Sequence, residues 1–163
     1  MIAFLRYLSK LKPGDRVLIY GASGSIGTFA VQLARHFKAR VTGVCSTSNL
    51  ELIKSLGADI VLDYANNDIS DTDERYDVIF DTVGKFPRSK AKKLLTENGR
   101  YISTHSSPVK EKQDDLYLIR ELAARGMIKV VMDQIYPIEK IQDAHVYVES
   151  GRKKGNIVIV VSQ

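Results

Sequence analysis

Short apolar runs bounded by turn residues alternate along this chain with segments whose apolar positions recur every three to four residues. Val17-Leu18-Ile19-Tyr20 follows the turn Lys12-Pro13-Gly14-Asp15 and reads as a strand buried on both faces. A glycine-rich turn comes next. Ile26, Phe29, Ala30, Leu33, Ala34 and Phe37 then mark one face of a helix. A second strand spans Arg40 to Cys45. A helix over about Asn49 to Leu56 stops at Gly57, and Ser48 with Glu51 has the spacing of a capping box.

The alternation continues. Ile60-Val61-Leu62, Val78-Ile79-Phe80 and Tyr101-Ile102-Ser103 predict strands, the last after a turn at Glu97-Asn98-Gly99. Lys90 to Leu95 predicts a short helix. His105 to Asp115 reads as a loop, and Leu116, Ile119, Leu122 and Ala123 mark a helix over about Asp114 to Arg125. The tail adds a strand around Val130-Val131-Met132, a helix near Ile138 to Val148 and a final strand, Asn156 to Val161. Strands alternating with helices imply parallel pairing and right-handed crossovers. The expected fold is α/β: a doubly wound, mainly parallel Rossmann sheet with helices on both faces and a short C-terminal appendage. The expected division is residues 1–125 for the dinucleotide-binding domain and 126–163 for the C-terminal segment.

Composition narrows the options. A chain of 163 residues, 44% apolar, can fill one core, and its 26% charged residues are ordinary for a globular protein. No apolar run approaches the roughly 20 residues of a membrane span. The amphipathic start MIAFLRYLSKLKPGD has no small-residue cleavage site, so the expected location is cytoplasmic. Cys45 is the only cysteine, which excludes an internal disulfide and any multi-cysteine zinc site. The net charge of +5 gathers at Arg88-Lys90-Lys92-Lys93 and Arg152-Lys153-Lys154. No aromatics interleave with these charges, so they read as solvated surface and no nucleic-acid partner is expected.

The chemistry concentrates in the glycine turn Ala22-Ser23-Gly24-Ser25-Ile26-Gly27. It has the G-x-G-x-x-G spacing with alanine first. The first position needs a small residue for a tight turn. Gly24 lets backbone approach a pyrophosphate, and Gly27 lets the helix pack on the strand. The helix N-terminus offers N–H groups and a positive dipole end to phosphate. Lying between a strand and a helix, with a second strand beyond, the turn predicts a dinucleotide site. A Walker loop would need a lysine that is absent. A short-chain dehydrogenase turn fails at Ser25, and the Tyr136/Lys140 pair has Pro137 directly after the tyrosine.

The second strand ends Val44-Cys45-Ser46-Thr47-Ser48-Asn49 with no acid. An NAD site usually carries one there for the ribose 2′-OH. Hydroxyls and an amide accept a 2′-phosphate, so the expected cofactor is NADP(H), with Ser46 and Thr47 free to meet it. The missing acid also argues against a methyltransferase.

Together GASGSIGTFAVQLAR, VTGVCSTSNLELIKSLGADIVLDY, FDTVG and GRKKGNIVIVV resemble the medium-chain dehydrogenase/reductases, nearest the zinc-independent, quinone-oxidoreductase-like branch. The resemblance implies that Ala22 to Gly27 hold the pyrophosphate. It implies that Ser46, Asn49 and Tyr64 lie around the 2′-phosphate, and that Thr82, Val83, Ser103 and Thr104 border the nicotinamide ribose. Family members often have Lys or Arg where this chain has Asn49. They also carry a β-rich substrate domain before the first Rossmann strand, on which the tail from Gly126 packs. The expectation is therefore a fragment or shortened protein, the cofactor-binding part of a zinc-free oxidoreductase passing hydride to a small-molecule quinone, activated alkene or carbonyl. The alternative is a non-catalytic dinucleotide- or partner-binding module. No general acid is identified and no metal site is expected. Apolar positions on the tail strands (Ile128, Val130 and Met132; Ile157, Ile159 and Val161) predict a homo-oligomer formed through them.

Other residues tempt less. His36, His105 and His145 are far apart in sequence, although His105 follows the nicotinamide-side strand. The acidic run Asp68, Asp71, Asp73 and Glu74 lacks the glycine and spacing of an EF-hand, and Cys45 reads as an inert buried thiol.

Overall fold

The computed structural model describes residues 10–66, 69, 72–105 and 113–161. The start through Ser9, Asp68, Asp71 and most of the loop after His105 lie outside the described residues.

Five strands form one parallel sheet. They are β1 (Arg16–Tyr20), β2 (Arg40–Cys45), β3 (Ile60–Asp63), β4 (Tyr76–Asp81) and β5 (Leu95–Ser103), in the order β3-β2-β1-β4-β5. Helix α1 (Ser25–His36) links β1 to β2, and α2 (Leu50–Ser55) links β2 to β3. Helix α3 (Arg88–Leu94) links β4 to β5, and α4 (Gln113–Ala124) follows β5. From β1 the chain winds one way to β3, then returns to β4 and winds the other way. Right-handed crossovers therefore place the helices of the two halves on opposite faces.

The cores follow that division for the crossover helices α1, α2 and α3, whereas α4, which follows the last strand of this sheet, packs on the face of α1 and α2. Val17 and Ile19 of β1 and Val78 and Phe80 of β4 point to one face, where they pack with Phe29, Leu33, Ile53 and Leu122 of α1, α2 and α4. Leu18 and Ile79 alternate to the other face and meet Ala91 and Leu94 of α3 and Phe86. Strands buried on both faces need apolar residues at consecutive positions, as Val17 to Ile19 show.

A separate two-stranded parallel sheet pairs β6 (Met132–Pro137) with β7 (Asn156–Val160), and α5 (Ile141–Glu149) connects them. Its root is anchored to α1. The buried amide of Gln32 donates from Nε2 to the Lys129 carbonyl at 3.0 Å and accepts the Lys129 N–H at 2.7 Å.

Three local expectations change. The capping box does not form: a 3₁₀ turn over Thr47–Asn49 precedes α2, which has no side-chain cap, and Ser48 Oγ instead lies 3.3 Å from Ser46 Oγ. Glu97-Asn98-Gly99 is no turn before a strand but a bulge within β5, because Leu95 already pairs with Tyr76 and the ladder resumes at Arg100 opposite Val78. The strand expected at Val130-Val131-Met132 lies further on, from Met132. Ile128 is buried in the main core, which pulls this segment out of the ladder.

Candidate functional site

β1 and β4 are neighbours whose chains leave in opposite directions, so the loops at their carboxyl ends part and open a crevice. A cleft of about 610 Å³ lies there, walled by Tyr20, Gly21, Ser23, Gly24, Ser25 and Ile26 on one side and Thr82, Val83 and Lys85 on the other. Tyr64, Gly151 and Lys153 complete the lining. A neighbouring cleft of about 380 Å³ shares Tyr20 and Tyr64 and adds Asn66, Phe86 and Lys90.

The first turn of α1 forms part of this wall. Gly24 is the N-cap and has no side chain to cap with, and the turn contains no acidic residue. Backbone N–H groups at Ser25, Ile26 and Gly27 stand before the first intrahelical bond, Thr28 N–H to Gly24 O at 3.0 Å. The glycines have different tasks. A Cβ on Gly27 would overlap Gly21 O and stand 2.6 Å from the Ala22 carbonyl, so this glycine seats the helix on the strand. A Cβ on Gly24 would meet only Gly21 O at 3.5 Å. The fold leaves room above Gly24, toward the cleft. Ala22 is fully buried and packs in the core.

The opposite wall is organised by Asp81, which is fully buried at the end of β4. Its carboxylate accepts N–H bonds from Val83 at 3.0 Å, Gly84 at 2.8 Å and Phe86 at 2.8 Å, and an O–H bond from Tyr101 at 2.9 Å. These donors curl Thr82 to Phe86 into a fixed turn. Thr82 Oγ1 donates to Tyr20 O at 2.9 Å and to Gly21 O at 3.0 Å, joining both walls. Burial and the Asp81 charge raise the Tyr101 phenol above its ordinary range. Ser103 is buried behind the turn, Thr104 Oγ1 reaches Thr82 O at 3.4 Å, and His105 packs against Gly84; none of the three lines the main cleft.

The end of β2 departs from expectation. Thr47 is not free: its hydroxyl donates to the carboxylate of Asp63, which β3 places beside Cys45 in register. Asp63 also accepts from the Ala65 N–H at 2.9 Å and Asn66 Nδ2 at 2.8 Å, and these bonds, Thr47's foremost, hold its carboxyl below the ordinary 3.8. Asn49 is likewise not at the surface. It is buried, its Nδ2 donates to Ser46 Oγ at 2.9 Å, and its Oδ1 has no hydrogen-bond partner. Ser46 remains half-buried with its hydroxyl held by Asn49, and Tyr64 is exposed at the cleft.

Lys153 is the lining residue that sequence reading placed on a solvated surface. It is half-buried, and its Nζ donates to Ser25 Oγ and to Gly155 O, both at 2.6 Å. Only the final strand's docking on the glycine turn brings it there. For Asp81 the signal was available: a lone acid ending an apolar strand before Thr-Val-Gly needs buried donors.

Among the described residues no three His, Cys, Asp or Glu side chains converge to hold a metal ion. Cys45 is buried, and desolvation with the Asp63 charge pushes its thiol up to about 11. Tyr136 lies in strand β6 and not in a helix, and its hydroxyl donates to Gln134 Oε1 at 2.8 Å. Among the described residues no helix is long and apolar enough to cross a membrane.

The chain is 29% identical over 163 positions to the NADPH-dependent alkenal/one oxidoreductase of Arabidopsis thaliana, covering 93% of this chain and 42% of the relative. It is 32% identical over 164 positions to the 2-methylene-furan-3-one reductase of Solanum lycopersicum, covering 90% and 40%. The quinone oxidoreductase of Coxiella burnetii superposes with a TM-score of 0.89 at 22% identity, over 99% of this chain and 58% of that one. The chain thus spans about half the length of the relatives it matches. The family model described as zinc-binding dehydrogenase matches residues 25–129, and a second so described matches 103–159. Although the described residues offer zinc no ligand set, the chain belongs to the zinc-binding dehydrogenase family of the medium-chain dehydrogenase/reductases.

Proposed function

We propose that this chain is the NADP(H)-binding part of a zinc-free oxidoreductase that delivers hydride to a quinone, an activated alkene or a carbonyl. The observation that carries this reading is the cleft of about 610 Å³ at the carboxyl ends of β1 and β4, with the uncapped N-terminus of α1 in its wall. The pyrophosphate fits over Gly24, where a Cβ would find room, facing the N–H groups of Ser25, Ile26 and Gly27. Thr82 and Val83, backed by Ser103 and Thr104, border the nicotinamide ribose. Ser46 and Tyr64 take the adenosine 2′-phosphate. Thr47 and Asn49 serve that subsite indirectly, by occupying Asp63 and by orienting Ser46. No acid ends β2, and Asp63 turns its charge onto Thr47, Ala65 and Asn66, which favours NADP(H) over NAD(H).

When bound, the nicotinamide supplies the hydride, and this chain's residues hold it and exclude water. The names of the relatives support the same reading: one is an NADPH-dependent alkenal/one oxidoreductase and another a quinone oxidoreductase homolog. We also propose that residues 1–125 act as the cofactor domain, and that 126–163 act as a docking segment through which the chain self-associates. Its location is cytoplasmic in this reading, although named relatives are chloroplastic and mitochondrial.

The test is a fluorescence titration with NADPH and NADH, followed by an assay of NADPH oxidation with a quinone and with an alkenal. Saturable binding with NADPH preferred is the expected result. Binding without turnover would assign a binding module instead, and no binding of either dinucleotide sinks the proposal.

A further inference from the structure

We propose that Lys153, carried by the C-terminal tail, is a direct ligand of the cofactor's pyrophosphate, so that the tail completes the dinucleotide site; this rests on the dinucleotide reading above. The glycine turn and the first turn of α1 offer N–H groups and a dipole but no full positive charge of their own. Lys153 brings one into the same cleft. Its ammonium contacts two neutral acceptors, Ser25 Oγ and Gly155 O. Among the described residues no carboxylate oxygen lies within 4 Å of it. Asp133 is the carboxylate whose charge bears on it, and Asp133 Oδ2 accepts from the Tyr147 hydroxyl at 2.7 Å and the Lys154 N–H at 2.9 Å.

A half-buried ammonium without a counter-ion is an unfavourable arrangement that an anion relieves. Burial accordingly lowers the Lys153 pKa from its ordinary value. The tail holds the group in place. The Gly155 N–H donates to Ser23 O at 2.8 Å, and Ser25 Oγ donates to Gly155 O at 2.7 Å. These bonds fix residues 153–155 against the loop that faces the phosphates. Gly24, Ser25 and Lys153 line the same cleft, so a diphosphate over Gly24 would share it with the Lys153 ammonium.

The experiment uses the full chain with Lys153→Gln, Lys153→Arg and Ser25→Ala, titrated with NADPH and NADH at several salt concentrations. The pyrophosphate is common to both cofactors, so K153Q should weaken both by the same factor, about tenfold or more. It should also flatten the salt dependence, because a charge–charge contact is lost. K153R should retain most of the affinity. Ser25→Ala loosens the clasp but keeps the ammonium, and should keep the salt dependence; a merely structural Lys153 would instead give K153Q and Ser25→Ala the same profile. Thermal midpoints separate loss of fold from loss of binding. K153Q binding within about twofold of wild type, or weakening NADPH alone, overturns the inference while leaving the dinucleotide reading intact. A wild-type chain that binds neither cofactor overturns both.

Discussion

Gly24 and Gly27 share a motif, yet the structure predicts opposite consequences for the same substitution. In Gly27→Ala the new methyl overlaps Gly21 O and lies 2.6 Å from the carbonyl carbon and oxygen of Ala22. These are backbone atoms of the β1–α1 turn, held by Gly24 N–H to Gly21 O at 3.1 Å and by Ala22 N–H to Val44 O at 2.9 Å. Neither neighbour can rotate away as a side chain would. The helix must shift off the strand, loosening the packing of Phe29, Ala30 and Leu33 in the core they share with Val17 and Ile19. Overpacking of this kind costs about 3 kcal/mol at the upper end of the usual range. For a chain of this size that corresponds to a fall of roughly 6–12 °C in melting temperature. In Gly24→Ala the methyl meets only Gly21 O at 3.5 Å, and the backbone φ of −76° suits any L-residue. Its stability should stay within about 0.5 kcal/mol of wild type. Its dinucleotide affinity should drop about tenfold, because the methyl would stand where the pyrophosphate is proposed to approach. Differential scanning calorimetry and NADPH titration of the two variants form the assay. A Gly27→Ala protein that melts with wild type, or a folded Gly24→Ala protein with unchanged affinity, refutes the division of labour.

Asp81→Ala should destabilise by about 3 kcal/mol or more, since it strips the N–H groups of Val83, Gly84 and Phe86 and the Tyr101 hydroxyl of their acceptor; a urea melt measures it. Ser46→Asp places a carboxylate where the 2′-phosphate is proposed to sit, and titrations should show NADH overtaking NADPH. The Asp63 pKa is depressed in the folded state, so its stabilising contribution is present above the ordinary value of 3.8 and is lost as pH falls through the lowered folded value. The gap in melting temperature between wild type and Asp63→Asn should therefore be constant near neutrality and close in strong acid. On the tail, Ile135 is 61% exposed and Met132 58%; Ile135→Lys should shift light-scattering mass toward monomer if this face self-associates.

How much was legible in the chain depends on how local each feature is. Strands β1 to β4 and helix α1 follow from apolar runs and a 3.6-residue period, which act over a few residues, and the glycine turn declares itself by its spacing. The parallel order follows almost as directly, since right-handed crossovers leave few alternatives. The bulge in β5 did not show, because Glu97-Asn98-Gly99 carries ordinary turn chemistry and only the pairing of Leu95 with Tyr76 keeps it inside a strand. Ser48 and Glu51 had the spacing of a capping box, but Ser46, Ser48 and Asn49 bond among themselves instead.

The site shows the same boundary. Periodicity and spacing determined that a dinucleotide-type turn exists, which glycines compose it and that no acid ends β2. Tertiary structure decided what surrounds it. Thr47 meets Asp63 because β2 and β3 pair in register, and Ile128 joins the core because the tail's root is tied to Gln32. Lys153 reaches Ser25 across 128 residues of sequence. No local pattern encodes such a contact. A lysine in a basic run is best solvated unless the fold brings a buried acceptor to it, and that acceptor exists only once the tail has docked on the turn.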